Sequence, residues 1–323
     1  MAGPEATLAP QPVSDVDPKP LAELPLFTLH DLLWLFYLYP LRLLAAILPR
    51  WCLYAIGKLS DPIIQFQARH RKASAALWIA RVCDTTPALA ERIARRSLSN
   101  KAVRYLDQLV LLRPSAAKML RCTSIDGIQH LESALALGRG VILLAGHFCA
   151  NRVAVRYLAS HGHPVLSVHN RRPSNKCEGR LGRQFLQPRS IRLQSLAFPD
   201  HVYIQDPNCS LSILQRLRAG GLAVIHADGR GRTKVVEHLF LGRPWPVPAG
   251  IFEIVRLSGC AVVPMLCLGR SDGFRIRFDP MLDLDRAPSR DAFLSANLPC
   301  FLSAVERQII QNPEEWILWN HQF

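Results

Sequence analysis

Gly138-Arg139-Gly140-Val141-Ile142-Leu143-Leu144-Ala145-Gly146-His147-Phe148 is the stretch whose reading decides the fold. Val141 to Ala145 is an unbroken aliphatic run, too short for a globular helix and bounded by glycines. Such a run reads as a strand covered on both faces, as in sheets sandwiched by helices. Residues 128–137 before it have helical periodicity, which the two glycines stop. Gly146-His147-Phe148 reads as a tight turn, and Asn151 to Ser160 as the next helix.

The same texture continues downstream. Strands are predicted at 165–168, at Leu222-Ala223-Val224-Ile225-His226 and at 260–265, and helices at 211–217, 250–257 and 291–311. Residues 266–278 read as a hairpin turning at Ser271-Asp272-Gly273. The expected fold class is α/β: a mixed central sheet flanked by helices, with no internal repeat.

Upstream the texture differs. Residues 1–25 are rich in Pro, Ala and acidic residues and read as a disordered leader, without the basic start of a secretory signal. Residues 26–60 read as a helical, membrane-anchoring segment. The apolar run 32–48 is 17 residues long and holds Pro40 and Arg42. A spanning helix needs about 20 apolar residues, so a shallow hairpin or kinked anchor fits better than a clean span. Its aromatic residues, with Arg42 and Arg50, suit a membrane interface; the other reading is a buried core helix. Residues 61–323 form the expected main domain, whose first part, 63–121, reads as helical with Arg between apolar positions. That basic face either lies on anionic lipid or is simply solvated.

Composition narrows the function. The chain has 323 residues, 49% of them apolar and 20% charged, which excludes a largely disordered protein. The 39 Lys and Arg against 25 Asp and Glu give a formal charge of +14, so the surface attracts anions. Arginine outnumbers lysine 32 to 7, favouring forked contacts to phosphate and carboxylate. Nine scattered cysteines, with no C-x-x-C pair, argue against a zinc module or disulfide framework and fit a reducing compartment. No nucleic-acid motif accompanies the charge, so nucleic acid is not an expected partner.

His147 is the candidate for chemistry. A buried strand ending in Gly-His, with a helix starting behind it, places the imidazole at the carboxyl edge of the sheet, where open α/β sheets hold ligands. The helix N-terminus disfavours imidazolium and helps keep the ring neutral, ready to act as a base. Against this stands the ordinary reading of a lone turn histidine as structural.

Gly140 to Phe148 resembles the core block of the bacterial lipid A late acyltransferases (lauroyl and myristoyl transferases), within the lysophospholipid acyltransferase superfamily. Four further blocks are similar in the same order. They are Gly220 to Gly231 with its Asp228-x-Arg230, Phe240-Leu241-Gly242-Arg243-Pro244, Gly259-Cys260-Ala261-Val262-Val263-Pro264, and Pro313-Glu314-Glu315-Trp316 followed by Trp319 and His321. The resemblance covers roughly residues 30–323. It implies transfer of a fatty acyl chain from acyl carrier protein, or coenzyme A, to a lipid hydroxyl. It implies no cofactor and no metal, and a site on the cytoplasmic face of an inner membrane. The acceptor is a lipid A precursor, a lysolipid or another hydroxylated or amino lipid.

The resemblance makes His147 the base that takes the acceptor's proton. The family motif places an Asp or Glu five positions on, where this chain has Arg152. A guanidinium cannot accept the imidazole N–H. Three readings follow: another carboxylate serves, Asp228 first and Glu253 behind it; the histidine works alone while Arg152 binds a phosphate or thioester oxygen; or the protein binds lipid without turnover. The family's acceptor region falls on 169–192, which holds Arg171, Arg172, Lys176, Arg180, Arg183, Arg189 and Arg192. These suit lipid phosphates or the acidic carrier protein, or form a solvated basic loop. Arg230 and Arg232 add to the anion site unless they pair with Asp228. Pro264 is expected to end its strand and shape the site wall, and Trp316 and Trp319 to be packing residues.

Overall fold

The computed structural model describes residues 20–113, 116–170, 179–198, 200–230, 235–270 and 273–319. After a 3-10 turn at Leu21–Glu23, the described residues begin with five α-helices: α1 Leu29–Leu38, α2 Pro40–Ile47, α3 Arg50–Gln67, α4 Arg69–Val82 and α5 Pro87–Leu111. Thr28 caps α1 through a reciprocal box with Asp31. Pro40 stands at the first position of α2, where its missing N–H costs nothing. The expected apolar run is therefore two short helices. Among the described residues, no helix is long and apolar enough to cross a membrane. Helix α3 runs through the expected boundary at residue 60 without a break.

The rest alternates. Helix α6 (Ala116–Arg121) and strand β1 (Thr123–Asp126) lead to α7 (Ile128–Ala136), β2 (Val141–Ala145), α8 (Asn151–Ser160) and β3 (Val165–His169). Next come α9 (Gln187–Ala197), β4 (His201–Tyr203), α10 (Cys209–Arg218) and β5 (Leu222–His226). Strands β6 (Val235–Phe240) and β7 (Arg243–Pro248) precede α11 (Gly250–Ser258), β8 (Ala261–Gly269), β9 (Phe274–Phe278) and α12 (Arg290–Gln311). The seven-stranded sheet has the order β1-β9-β8-β2-β5-β3-β4. Its pairs are parallel except β8–β9. The mixed central sheet flanked by helices is the expected class.

Period-two alternation builds the two cores. Val141, Leu143 and Ala145 point into one cluster, with Val224, Val263, α8 and the lower half of α5. Ile142 and Leu144 point into the other, with Ala223, Val262, α11 and α12. All five residues of β2 are buried, which is why the run lacks polar alternation. Gly140 adopts φ +72°, and a Cβ there would strike the Leu217 backbone, so glycine is required where β2 enters the sheet.

Several expectations need correction. Pro264 does not end a strand, since β8 continues to Gly269. It is tolerated mid-strand because β8 changes partner there, pairing with β2 up to Pro264 and with β9 from Met265. It is buried in the sheet. The segment from Gly182 onward is no loop: a π-helical turn, Gly182–Leu186, leads into α9 and carries Arg183, Arg189 and Arg192 on helix. Strands β1 and β4 and the separate β6–β7 hairpin were not expected; Leu241 and Gly242 are the hairpin's turn. Arg171, Arg172, Lys176, Arg232, His321 and the turn residues Ser271 and Asp272 lie outside the described residues.

Candidate active site

Strands β2 and β5 are parallel neighbours in register, with Ala145 opposite His226. Their continuations therefore leave the sheet side by side, bringing His147 to Asp228. His147 Nδ1 lies 2.6 Å from Asp228 Oδ1, and the His147 backbone N–H donates to Oδ2 at 2.6 Å. The Trp316 indole N–H donates to the same Oδ2, also at 2.6 Å. Asp228 is 0% exposed while the His147 side chain is 30% exposed. The carboxylate is thus sealed behind a ring that still meets solvent.

Burial alone would raise the Asp228 pKa. The charge and hydrogen bonds of His147, with help from His226 and Trp316, outweigh it and hold the carboxyl at about 2. An ionised carboxylate can only accept, so Nδ1 of His147 carries the proton, and it is Nε2 that holds the lone pair whenever the ring acts as a base. A base oriented by a buried acid is the logic of other His–carboxylate pairs.

The turn is braced from several sides. The buried side chain of Asn151, at the start of α8, donates to the Gly146 carbonyl at 2.6 Å and accepts from Cys267 N–H at 3.2 Å. Ile317 N–H donates to the His147 carbonyl at 3.1 Å, and Cys149 N–H to the Glu315 carbonyl at 3.1 Å. Ser97 Oγ on α5 holds the Trp316 carbonyl at 2.7 Å. Trp316 packs edge-on to Trp319, 4.7 Å between ring centroids, and Trp319 to Trp78 at 5.1 Å. The two C-terminal tryptophans are packing residues as expected, but Trp316 also orients the acid. A buried indole N–H usually finds a partner, and that is the signal that could have pointed to it.

The other candidates sort by placement. Arg152 on α8 donates to Gln108 of α5 and lies over the Phe198 ring, so it does not take the acid's part. Glu253 is bound through both oxygens to Arg256, at 2.8 and 3.0 Å, within α11. Arg230 does not pair with Asp228; its guanidinium lies 4.5 Å over the Trp245 ring, just beyond the dyad. Burial and the charge of Arg243 lower its pKa, with Glu237 opposing. Among the described residues, no group of His, Cys, Asp and Glu is arranged to hold a metal ion.

The sequence model of one family, described as bacterial lipid A biosynthesis acyltransferase, matches residues 27–323. The chain belongs to this family. No curated protein matches it. Membership makes the protein an acyltransferase acting on lipid. In this acyltransferase His147 is the histidine that the sequence resemblance made the base, and Arg152 stands where that resemblance expects an acid. A carboxylate from the next strand's end, Asp228, reaches the ring instead.

Proposed function

We propose that the protein is a membrane-associated O-acyltransferase that moves a fatty acyl chain from acyl carrier protein, or coenzyme A, to a lipid hydroxyl. The observation that carries this reading is the 2.6 Å contact between His147 Nδ1 and a fully buried Asp228. His147 Nε2 takes the acceptor's proton as the hydroxyl attacks the thioester carbon, and Asp228 stabilises the imidazolium. The C–S bond then breaks, and the leaving thiolate takes the proton from His147. The donor is a substrate, and the reaction needs no cofactor.

The acceptor class is a lipid A precursor or a related hydroxylated lipid. Arg230, with Arg171, Arg172 and Arg232, is assigned to its anionic groups or to the acidic donor. The N-terminal helices support a membrane role: Leu29, Leu43, Ile47 and Trp51 are 65–81% exposed although large and apolar. Scattered exposed apolar residues are ordinary, but a dense patch marks an interaction surface. We place the protein on the cytoplasmic face of an inner membrane, where a soluble carrier protein would deliver acyl chains.

The test supplies acyl carrier protein and coenzyme A thioesters of mixed chain length with total bacterial lipid, and reads products by mass spectrometry. A new lipid heavier by one acyl group supports the reading. No acylated product from folded protein with either donor contradicts it.

A further inference from the structure

Asn151, the first residue of α8, is 5% exposed and sits where β2 and β8 part. The last pair of that ladder is Leu144 with Pro264. At its start, Ala261 N–H donates to the Gly140 carbonyl at 3.0 Å. The same offset carried to the strand ends would join Cys267 N–H to the Gly146 carbonyl. By then the strands have parted, and β8 pairs with β9. The Asn151 amide stands in the gap. Its Nδ2 donates to the Gly146 carbonyl at 2.6 Å, and its Oδ1 accepts Cys267 N–H at 3.2 Å. A carbonyl only accepts and an N–H only donates, so the amide serves in one orientation. One rung of the ladder is thus made by a side chain.

That rung ends on the peptide that carries the base. The Gly146 carbonyl and the His147 N–H belong to one planar unit. The N–H donates to Asp228 Oδ2 at 2.6 Å. The plane is therefore held at one end by Asn151 and at the other by the fully buried Asp228. The carbonyl also accepts Phe148 N–H at 2.9 Å, a bond within the turn that moves with it. Asn151 instead ties this end to β8. Releasing it lets the plane turn, which would pull the His147 N–H away from the carboxylate and shift the ring that the same carboxylate orients. We propose that Asn151 is a positioning residue for acyl transfer: by bridging β8 to the Gly146–His147 peptide, it holds Asp228 and His147 in the pairing that transfer requires. The inference rests on the acyl-transfer reading and adds to it a residue that acts through Asp228. A misplacement of about 1 Å at a reacting group can cost about 10²-fold in rate.

The test measures steady-state transfer from acyl carrier protein or coenzyme A thioesters by Asn151→Leu and Asn151→Ala, each alone and combined with Asp228→Asn. Melting curves identify folded variants. Leucine keeps a branched side chain of similar length without either polar atom, and alanine removes the bridge outright. Loss of the bridge is expected to lower kcat by about 10–10²-fold, with acceptor KM within about twofold. Residues that act through one another are not additive. In the Asp228→Asn background, where the carboxylate is already gone, the same substitution should therefore lower kcat by no more than about threefold. A kcat within about threefold of wild type in the single variants overturns the proposal, as does a loss confined to KM. So does the full single-variant loss repeated in the Asp228→Asn background, which would mean that Asn151 acts by another route. If one variant does not fold, the other decides. If neither folds, Asn151 holds the fold and not the base, and the proposal fails. Wild-type transfer with unaffected Asn151 variants overturns this assignment alone. A folded wild type with no transfer overturns the acyl-transfer reading as well.

Discussion

Trp316 donates its indole N–H to the same oxygen of Asp228 that accepts the backbone N–H of His147. The C-terminal segment therefore holds the acid, which in turn holds the base. Removing the indole donor by Trp316→Phe leaves Oδ2 with the His147 N–H alone and loosens the carboxylate. The Asp228 pKa should rise from about 2, kcat should fall by about tenfold, and stability by about 1–3 kcal/mol. Initial rates and urea unfolding of the variant check this; an unchanged rate would make Trp316 a packing residue only.

A second carboxyl in that segment titrates in the opposite sense. Burial first, then the charge of Glu314, push Glu315 up to about 7, although a hydrogen bond from Cys149 opposes the shift. Its ordinary value is about 4.3, so between these two values the folded chain binds the extra proton. Stability is then fully present below about pH 4 and lost as pH rises through about 7. Asp107, raised by burial to about 6, acts in the same direction. Glu315→Gln should flatten the fall in stability between pH 5 and pH 8 and be at least as stable as wild type at pH 8. Denaturant unfolding at the two pH values reads the difference. An equally steep wild-type and variant profile would assign the slope elsewhere.

The membrane surface makes a separate prediction. Ile47 and Trp51 are 81% and 72% exposed, so replacing both with serine should leave the fold intact. Burying such side chains is worth about 1.5–3 kcal/mol each. Co-sedimentation with vesicles of phosphatidylethanolamine and phosphatidylglycerol should therefore weaken by at least about tenfold. Undiminished binding with an unchanged melting temperature would move the membrane contact away from α2 and α3.

What the sequence made legible was local. The run Val141–Ala145, its bounding glycines and the helix behind it hold nearly residue for residue, because each depends only on its neighbours. The pairing of His147 with Asp228 spans 81 positions, and sheet register decides it. The chain alone left Asp228 as one of several readings; the adjacency of β2 and β5 selects it. Asp31 hid differently: it looked like part of an anchor, yet it is buried and accepts the Gly179 N–H at 3.0 Å. The apolar run around it divides its residues between two uses that hydropathy cannot separate. Trp34 and Tyr37 pack edge-on against Tyr105 of α5, while Leu29, Leu43 and Ile47 face outward.

The central claim is that His147, oriented by Asp228 rather than by a residue at position 152, is the base for acyl transfer. The most direct measurement is the initial rate of acyl transfer by wild type, His147→Ala and Asp228→Asn, with each variant shown to be folded. Asp228→Asn keeps the shape but removes the acceptor that fixes the ring's tautomer. The account predicts loss of product in His147→Ala and a fall of about 10²–10⁴-fold in kcat for Asp228→Asn. Wild-type rates in Asp228→Asn, or persistent transfer by His147→Ala, would contradict it.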